Sequence, residues 1–223
     1  LASLACGFDV SLPEQAEPGP EVEESITVAG SGSGETRLTI SFGAGTLDLS
    51  PGAKGLVEGT AVYNIPELKP QVIEGENSVE IKQGEFKNLV NFRDVKNEWD
   101  LKLGGTPLDL NINAGAYSGN FELGGLALTS LTVKDGAADV DLSFSEPNLT
   151  EMSVLRYETG ASNVTLSGLA NANFSTLIFS GGAGDYKLDF GGTLTEPGTV
   201  NISAGAGSVQ LVIPTGVNAK VTE

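Results

Sequence analysis

Apolar and polar residues alternate along most of the chain, and the alternation is broken at intervals by a Gly-Ala pair. The clearest stretch is residues 177–190, LIFSGGAGDYKLDF, where large apolar residues occupy alternate positions on both sides of Gly182-Ala183. Alternation with a period of two is the pattern of a β-strand with one buried face. The stretch therefore predicts two strands joined by a corner at the Gly-Ala pair, where glycine supplies either a positive φ or room for close stacking.

The same pattern recurs along the chain. Gly-Ala pairs begin at Gly43, Gly115, Gly136, Gly160, Gly182 and Gly205, and the last five are spaced 21, 24, 22 and 23 residues apart. Large apolar residues stand five and three residues before each glycine and six residues after it. The column five residues before the glycine reads Leu38, Leu110, Leu131, Leu155, Leu177 and Val200. Such regularity predicts a repeat protein, because stacked units can bury together an apolar face that no unit buries alone.

The period and the alternation predict an all-β fold, a single-domain β-solenoid built as a right-handed β-helix-like stack of repeats of about 21–24 residues. No repeat contains a helical amphipathic run, so leucine-rich repeats with helices do not fit. Residues 107–213 hold the regular repeats, and residues 25–106 are predicted to form an irregular N-terminal cap within the same 25–223 domain. Trp99 is expected to pack in this cap with its indole N–H donating to a backbone carbonyl.

Residues 1–24 precede the predicted solenoid and carry a different signal. The opening LASLAC resembles the end of a bacterial lipoprotein signal, and Cys6, the single cysteine, is the predicted lipid attachment site. Residues 7–24 are rich in proline and glutamate and contain no Lys or Arg, so they are predicted to form a disordered acidic tether. We therefore expect an extracytoplasmic protein held at the membrane by a lipid on Cys6.

Composition narrows the classes of function. The chain has 29 acidic and 12 basic residues, for a formal net charge of −17, which argues against nucleic acid and anionic lipid surfaces as partners. Histidine is absent, which removes the commonest general base and most zinc sites. No catalytic, metal-binding or cofactor-binding residue is predicted, and the chain is not expected to be an enzyme.

Two carboxylate patterns are candidates for a calcium site or an acid–base pair. The run Gly181–Asp185 resembles a calcium-binding β-roll repeat, but its aspartate stands one position early, and a solenoid corner explains the same glycines. A second column, three residues after each corner glycine, contains Thr46, Ser118, Asp139, Asn163, Asp185 and Ser208. If the repeats are in register, Asp139 and Asp185 lie two rungs apart, and a hydrogen-bond ladder is favoured over an acid–base pair.

Tyr117 is the one candidate ligand contact in the regular repeats. It is flanked by Asn113 and Asn120, and we predict that its ring points outward, where it could stack against a sugar.

Several separated stretches carry a family resemblance: NEWDLKLGGTPLDLNINAGA, PNLTEM, GLANANFSTLIFSGGAGDYKLDFGG and GSVQLVIPTGV. They resemble the bacterial toast-rack domain family, which is similar to repeat-rich predicted adhesins and to the extracytoplasmic parts of LiaF-like envelope stress proteins. The resemblance covers about residues 25–220. It implies an exported, all-β, stacked-strand domain and no enzymatic activity.

These observations predict a non-enzymatic cell-envelope lipoprotein, an adhesin-like binding or scaffolding module whose partner is a glycan or another envelope protein. Two alternatives remain open: a regulatory module of an envelope-stress response, and a β-helix polysaccharide lyase or glycosidase. Because the ends and exposed edges of a solenoid invite pairing, the sequence also allows a dimer.

Overall fold

The structure, a computed structural model, describes residues 18–30, 34–84, 94–215, 220 and 222. Its regular secondary structure is almost entirely β, with no α-helix in the described part of the chain. The strands are β1 Val22–Val28, β2 Thr36–Pro51, β3 Val57–Tyr63, β4 Pro70–Glu74, β5 Ser78–Gln83, β6 Asn97–Leu103, β7 Leu108–Glu122, β8 Leu128–Ser143, β9 Met152–Ser167, β10 Phe174–Asp189 and β11 Thr199–Val212. One 3₁₀ helix spans Pro66–Leu68. None of the described residues belongs to a helix long and apolar enough to cross a membrane.

Six long strands form the parallel body of the molecule, in the order β2, β7, β8, β9, β10 and β11. Their register matches the repeat positions, so that Leu110, Leu131, Leu155, Leu177 and Val200 are successive partners in adjacent strands. The first four of these side chains are fully buried in one continuous apolar core. The predicted β-solenoid, with a single interior shared by all repeats, is confirmed.

Each long strand bends at its Gly-Ala pair, and it has one arm before the pair and one after it. Around the β10 corner the buried residues are Leu177 and Phe179 on the first arm and Tyr186 and Leu188 on the second, and Phe174 is also buried at the start of the strand. Next to the corner the buried positions are therefore odd-numbered before it and even-numbered after it, so both arms turn their apolar faces toward the same interior. The prediction of two separate strands per repeat is wrong, because parallel pairing with the neighbouring rungs resumes immediately beyond the corner.

The corner glycines are needed for close stacking. A Cβ on Gly160 would collide with the carbonyl oxygen of Gly136 in the rung below, and one on Gly182 would collide with that of Gly160. The positive φ that was the other expectation occurs two residues later, as at Gly184 with φ 154°. The Gly-Ala pair thus sets how closely two rungs approach, and a positive φ two residues after the corner glycine occurs in β2, β10 and β11.

The N-terminal end of the stack is a rung made from two short strands. β5 pairs with the first arm of β2, and β6 pairs with its second arm, both in parallel. Antiparallel strands then close the array, with β4 on β5, β3 on β6, and β1 on β3. This change from parallel to antiparallel pairing ends the repeat at the N-terminal side.

Two amide side chains replace the corner that this split rung lacks. The Gln83 Oε1 accepts from the backbone N–H of Gly43 at 2.9 Å, and the Asn97 Nδ2 donates to the Ala44 carbonyl at 2.7 Å. In the regular rungs, the backbone groups at a corner face the corner of the adjacent rung. Below the β2 corner, side chains supply the hydrogen-bond partners instead. The corner of β2 is thereby kept hydrogen-bonded without a rung of its own kind beneath it.

Trp99 is 1% exposed and packs edge-on to Phe42, with ring centroids 5.1 Å apart. Its burial in the cap was predicted, but its hydrogen-bond partner was not. The indole Nε1 donates to the side-chain Oδ1 of Asn97 at 3.1 Å instead of to a backbone carbonyl. Asn97 lies two residues earlier in β6, on the same inward face, while the backbone carbonyls of β6 lie in a strand paired on both sides.

The fold begins earlier than predicted. β1 starts at Val22, inside the segment expected to be a disordered tether. The Glu21 carboxylate lies 3.1 Å from the Lys96 ammonium, and Glu24 lies 3.1 Å from that of Lys69. These acidic residues therefore hold the start of the sheet. Residues 1–17, with the predicted lipid site Cys6, lie outside the described residues.

Candidate ligand-binding groove

Tyr117 is not the exposed aromatic residue that was predicted. It is 6% exposed, and its ring stacks on Phe121 with centroids 6.3 Å apart and meets Phe42 edge-on at 6.2 Å. The reason is the change of parity at the corner: Tyr117 stands two residues after Gly115, an even offset like that of Phe121, and even offsets point inward. Its ring is part of the core and has no free face for a sugar.

The Tyr117 hydroxyl instead belongs to a polar cluster around Asp135. Asp135 is half-buried at the inner side of the β8 corner, and it accepts hydrogen bonds from the hydroxyls of Tyr157 at 2.8 Å and Tyr117 at 3.4 Å. The Thr159 hydroxyl donates to the other carboxylate oxygen. Burial raises the pKa of both Tyr117 and Tyr157, so both remain protonated donors.

Asp135 was not among the predicted site residues, although the sequence contains a signal for it. Asp135 stands one residue before Gly136, an odd offset that points inward like Leu131 and Val133. A charged residue at an inward position requires hydrogen-bond partners. Because its carboxylate is already engaged by hydroxyl donors, this cluster supports the corner and does not present a free reactive group.

The predicted polar column after the corners exists. Asp139, Asn163, Asp185 and Ser208 are register partners in consecutive strands. A hydrogen bond of the expected ladder links Ser208 Oγ to Asp185 Oδ1 at 2.7 Å. Around the calcium-like run Gly181–Asp185, as in the rest of the described chain, no three His, Cys, Asp or Glu residues are placed to hold a metal ion.

A polar groove of about 490 Å³ lies on the outside of the stack, at the beginnings of the strands. Carboxylates and hydroxyl groups from successive rungs line it: Glu35, Asp109, Thr129, Ser130, Glu151, Ser153 and Ser175. A concave pocket with convergent polar groups is the default position for a ligand site. We therefore take this groove as the candidate site.

A β-bulge shapes the groove. Leu108 of β7 is the partner of Leu128 in β8, but Asp109 is the partner of Ser130, so Thr129 is an extra residue in β8. The Thr129 carbonyl accepts from Ser153 Oγ at 3.0 Å, while among the described residues its own Oγ1, which is buried, has no hydrogen-bond partner. Bulges commonly redirect side chains beside binding sites, and this one bends the strand at the floor of the groove.

The charge of the groove is negative. Arg37 Nε lies 2.7 Å from Asp109 Oδ2 at one end, and Ser175 Oγ donates to Glu151 Oε1 at 2.7 Å at the other. The lining contains three carboxylates, and Arg37 is the one cation in contact with them among the described ion pairs. Such a surface repels phosphate and sulfate and favours ligands that donate hydrogen bonds.

Reasoning from the sequence did not find the groove. Each lining residue is an ordinary outward polar residue in its own rung, and the seven come from widely separated parts of the chain. The strand register places them side by side: Thr129, Ser153 and Ser175 each stand seven residues before a corner glycine, and Asp109 pairs with Ser130. The bulge at Thr129 is a local adjustment that the repeat period does not encode.

The fold and the groove together define a class: a β-solenoid repeat protein with an apolar interior and a polar outer surface. The profile of the family described as "N-terminal domain of toast_rack, DUF2154" matches residues 17–167, and the chain belongs to this family. The family resemblance drawn from the sequence is thereby confirmed. No curated protein sequence matches the chain significantly.

The chain is also similar to solved structures. A candidate cell adhesion protein from Clostridium sporogenes ATCC 15579 is 20% identical, with a TM-score of 0.68 over 86% of this chain and 98% of that one. A candidate adhesin from Bacteroides fragilis NCTC 9343 is 13% identical, with a TM-score of 0.38 over 87% of this chain and 97% of that one. The Clostridium structure supports the same all-β stack for this chain.

Proposed function

We propose that this protein is a non-enzymatic, adhesin-like binding module of the bacterial cell envelope, and that it holds its ligand in the groove over the strand beginnings. The observation that carries the proposal is the groove itself, where carboxylates and hydroxyls from successive rungs converge on one concave surface. The similarity to a candidate cell adhesion protein agrees with this role. The name of that protein also supports an extracytoplasmic location for this chain.

The chemistry of the groove favours a neutral or amine-bearing glycan. Sugar hydroxyls donate to carboxylates and exchange hydrogen bonds with Ser and Thr, and an amine would pair with Glu35 or Glu151. Both carboxylates are exposed, so they can change partners without first leaving a buried environment. The rigid parallel rungs beneath them fix the spacing of these groups, which limits the ordering cost of binding.

Glycan-array binding with the intact protein, followed by titration of the best ligand, tests this function. The Glu151→Gln substitution removes a groove carboxylate and should weaken binding about tenfold, the loss of one charge-assisted hydrogen bond. Glu146→Gln is the matched control, because Glu146 is also exposed, lies five residues away and is not in the groove lining. Equal affinities for the two variants, or no glycan binding by the unaltered protein, would contradict the proposal.

Anchoring by a lipid on Cys6 is a separate part of the proposal, supported by the lipobox-like LASLAC sequence. The test is mass spectrometry of the N-terminal peptide of protein extracted from membranes of its native host. A diacylglyceryl-modified peptide that begins at Cys6 is expected. A peptide that reads through residue 6 with a free thiol would overturn this part and leave the groove proposal untouched.

A further inference from the structure

The last rung, β11, leaves the apolar interior of the stack open. Val200, Val209, Leu211 and Ile213 are 38–40% exposed. Leu188, the partner of Leu211 in β10, is fully buried. These residues occupy the same inward columns as the buried core residues of the earlier rungs. They are exposed because no further rung covers them among the described residues.

The sequence of this rung is neutral. Residues 197–219 contain no Asp, Glu, Lys or Arg, although 18% of the whole chain is charged. Each of the ten other strands in the described chain contains at least one charged residue. Sheet edges are usually protected from pairing by charge or proline, and β11 has neither over its 14 residues.

The opposite edge of the sheet is protected in that way. Two strands are outermost at the N-terminal end: β1 carries Glu23 and Glu24, and β4 carries Pro70 and Glu74. Two copies of a chain with a net charge of −17 repel each other wherever their acidic surfaces meet. The neutral rung is therefore the end at which a second copy can approach with the least repulsion.

We propose that β11 is a self-association edge, at which two copies of this chain pair antiparallel about a two-fold axis through the corner between Gly205 and Ala206. Such an axis exchanges the two arms of the bent strand, so the first arm of one copy lies on the second arm of the other. Val200 then faces Leu211 of the other copy, and Ile202 faces Val209. A two-fold contact of this kind closes on itself and yields a dimer, not a filament.

Both arms of β11 suit this exchange. Because the parity of inward positions changes at the corner, the apolar residues of each arm face the same interior, and they still do so after the two-fold rotation. The exposed edge also presents a row of backbone N–H and C=O groups that an antiparallel neighbour can satisfy. The two hydrophobic interiors would join into one core across the interface.

Sedimentation velocity over a micromolar concentration series tests the dimer. The unaltered protein should reach twice the 22.9 kDa mass of one chain. The double variant Val209→Lys/Leu211→Lys should stay monomeric, since lysine on an edge strand blocks pairing. Asn120→Lys/Asn163→Lys, which adds the same charge at exposed positions of interior strands, should dimerise like the unaltered protein.

Cross-linking tests the arrangement and does not depend on the folding of the lysine variant. In a Cys6→Ser background, Asn201→Cys/Gln210→Cys should give a covalent dimer with a short bismaleimide, because residues 201 and 210 face each other across the two-fold axis. Asn111→Cys/Asn120→Cys on β7, at the register equivalents of residues 201 and 210, is the matched pair that should not. A monomer at every concentration, unchanged dimerisation of the lysine edge variant, or equal cross-linking of the two cysteine pairs would overturn the proposal.

Discussion

At the scale of single residues, the corner around Asp135 shows how a charge is accommodated inside an apolar stack. The Asp135 carboxylate has no cation in contact with it among the described ion pairs, and hydroxyls supply its hydrogen bonds instead. Tyr157 donates the shorter of the two tyrosine hydrogen bonds, from a ring that is fully buried. Tyr186 follows the corner of β10, and its buried hydroxyl has no hydrogen-bond partner within the described chain.

We therefore expect replacement by phenylalanine to have different effects on stability at the two tyrosines. Tyr157→Phe removes a hydrogen bond to a charged group and should lower the free energy of unfolding by about 1.5–3 kcal/mol. Tyr186→Phe removes a buried hydroxyl that has no partner, and it should leave stability unchanged or raise it slightly. Urea denaturation of both variants measures the difference, and an equal loss in the two would contradict the assigned hydrogen bonds.

The sequence predicts which residues point inward where the same offset from the corner glycine is apolar in every repeat. The column containing Leu131, Leu155 and Leu177 was placed correctly because it recurs in every repeat. Tyr117 and Asp135 each occur once at their offsets, so no repetition drew attention to them. Their hydrogen bond joins two different rungs, and only the folded stack shows that contact.

At the scale of the elements, the unit of this fold is a bent strand and not a pair of strands. The bend needs a residue without a side chain at the point where rungs are closest. The corner glycines differ in how closely they approach the rung below: a Cβ on Gly160 would collide with a carbonyl oxygen, whereas one on Gly136 would lie 3.1 Å from the nearest atom.

This difference makes the corners testable. Gly160→Ala should destabilise the protein by about 1–3 kcal/mol, the usual cost of inserting a methyl group into packed backbone. Gly136→Ala should cost less, and Gly105→Ala should be nearly neutral, because a Cβ at Gly105 meets no atom within 4 Å. Thermal unfolding of the three variants ranks them. Gly105→Ala as damaging as Gly160→Ala would show that close stacking is not what the corner glycine provides.

The cap was only partly predictable at this scale. Short alternating runs within residues 25–106 indicated strands, and the structure contains them. The assembly of β5 and β6 into one rung was not visible, because their pairing with β2 joins segments that are far apart in the chain. The antiparallel closure by β1, β3 and β4 likewise depends on contacts between distant segments.

At the scale of the whole molecule, the two ends of the stack differ. The N-terminal end is closed by antiparallel strands with glutamates on the outer edge, and the C-terminal rung is neutral and open. The interior between them holds three of the four tyrosines of the chain, and Tyr63 is buried in a separate small cluster with Ile65 and Leu68; all four are at 6% exposure or less. The tyrosines therefore report on the integrity of the entire stack.

Alkaline pH should unfold the stack cooperatively. Burial is the main cause that raises the pKa of Tyr63, Tyr117, Tyr157 and Tyr186 above the ordinary value of 10.0. As the pH rises above 10.0, tyrosines of the unfolded chain lose protons while folded ones keep theirs. Stability from these groups is therefore fully present below that pH and is lost above it.

Urea midpoints between neutral and strongly alkaline pH, with tyrosinate absorbance, measure this effect. The free energy of unfolding of Tyr157→Phe should fall less steeply with rising pH than that of the unaltered protein. The two slopes should differ by about 1.4 kcal/mol per pH unit, the linkage of one proton. Tyrosinate absorbance that rises before the fold is lost would show that the rings are open to solvent.

The sequence by itself determined the period, the inward columns and the in-register stacking. In a parallel stack each rung repeats the environment of the last, so spacing along the chain becomes position in space. The tertiary structure alone decided the groove, the Asp135 cluster, the split rung and the exposure of β11. These features depend on one bulge, on residues that occur once at their repeat offsets and on which rung has a neighbour, and the repeat period encodes none of these.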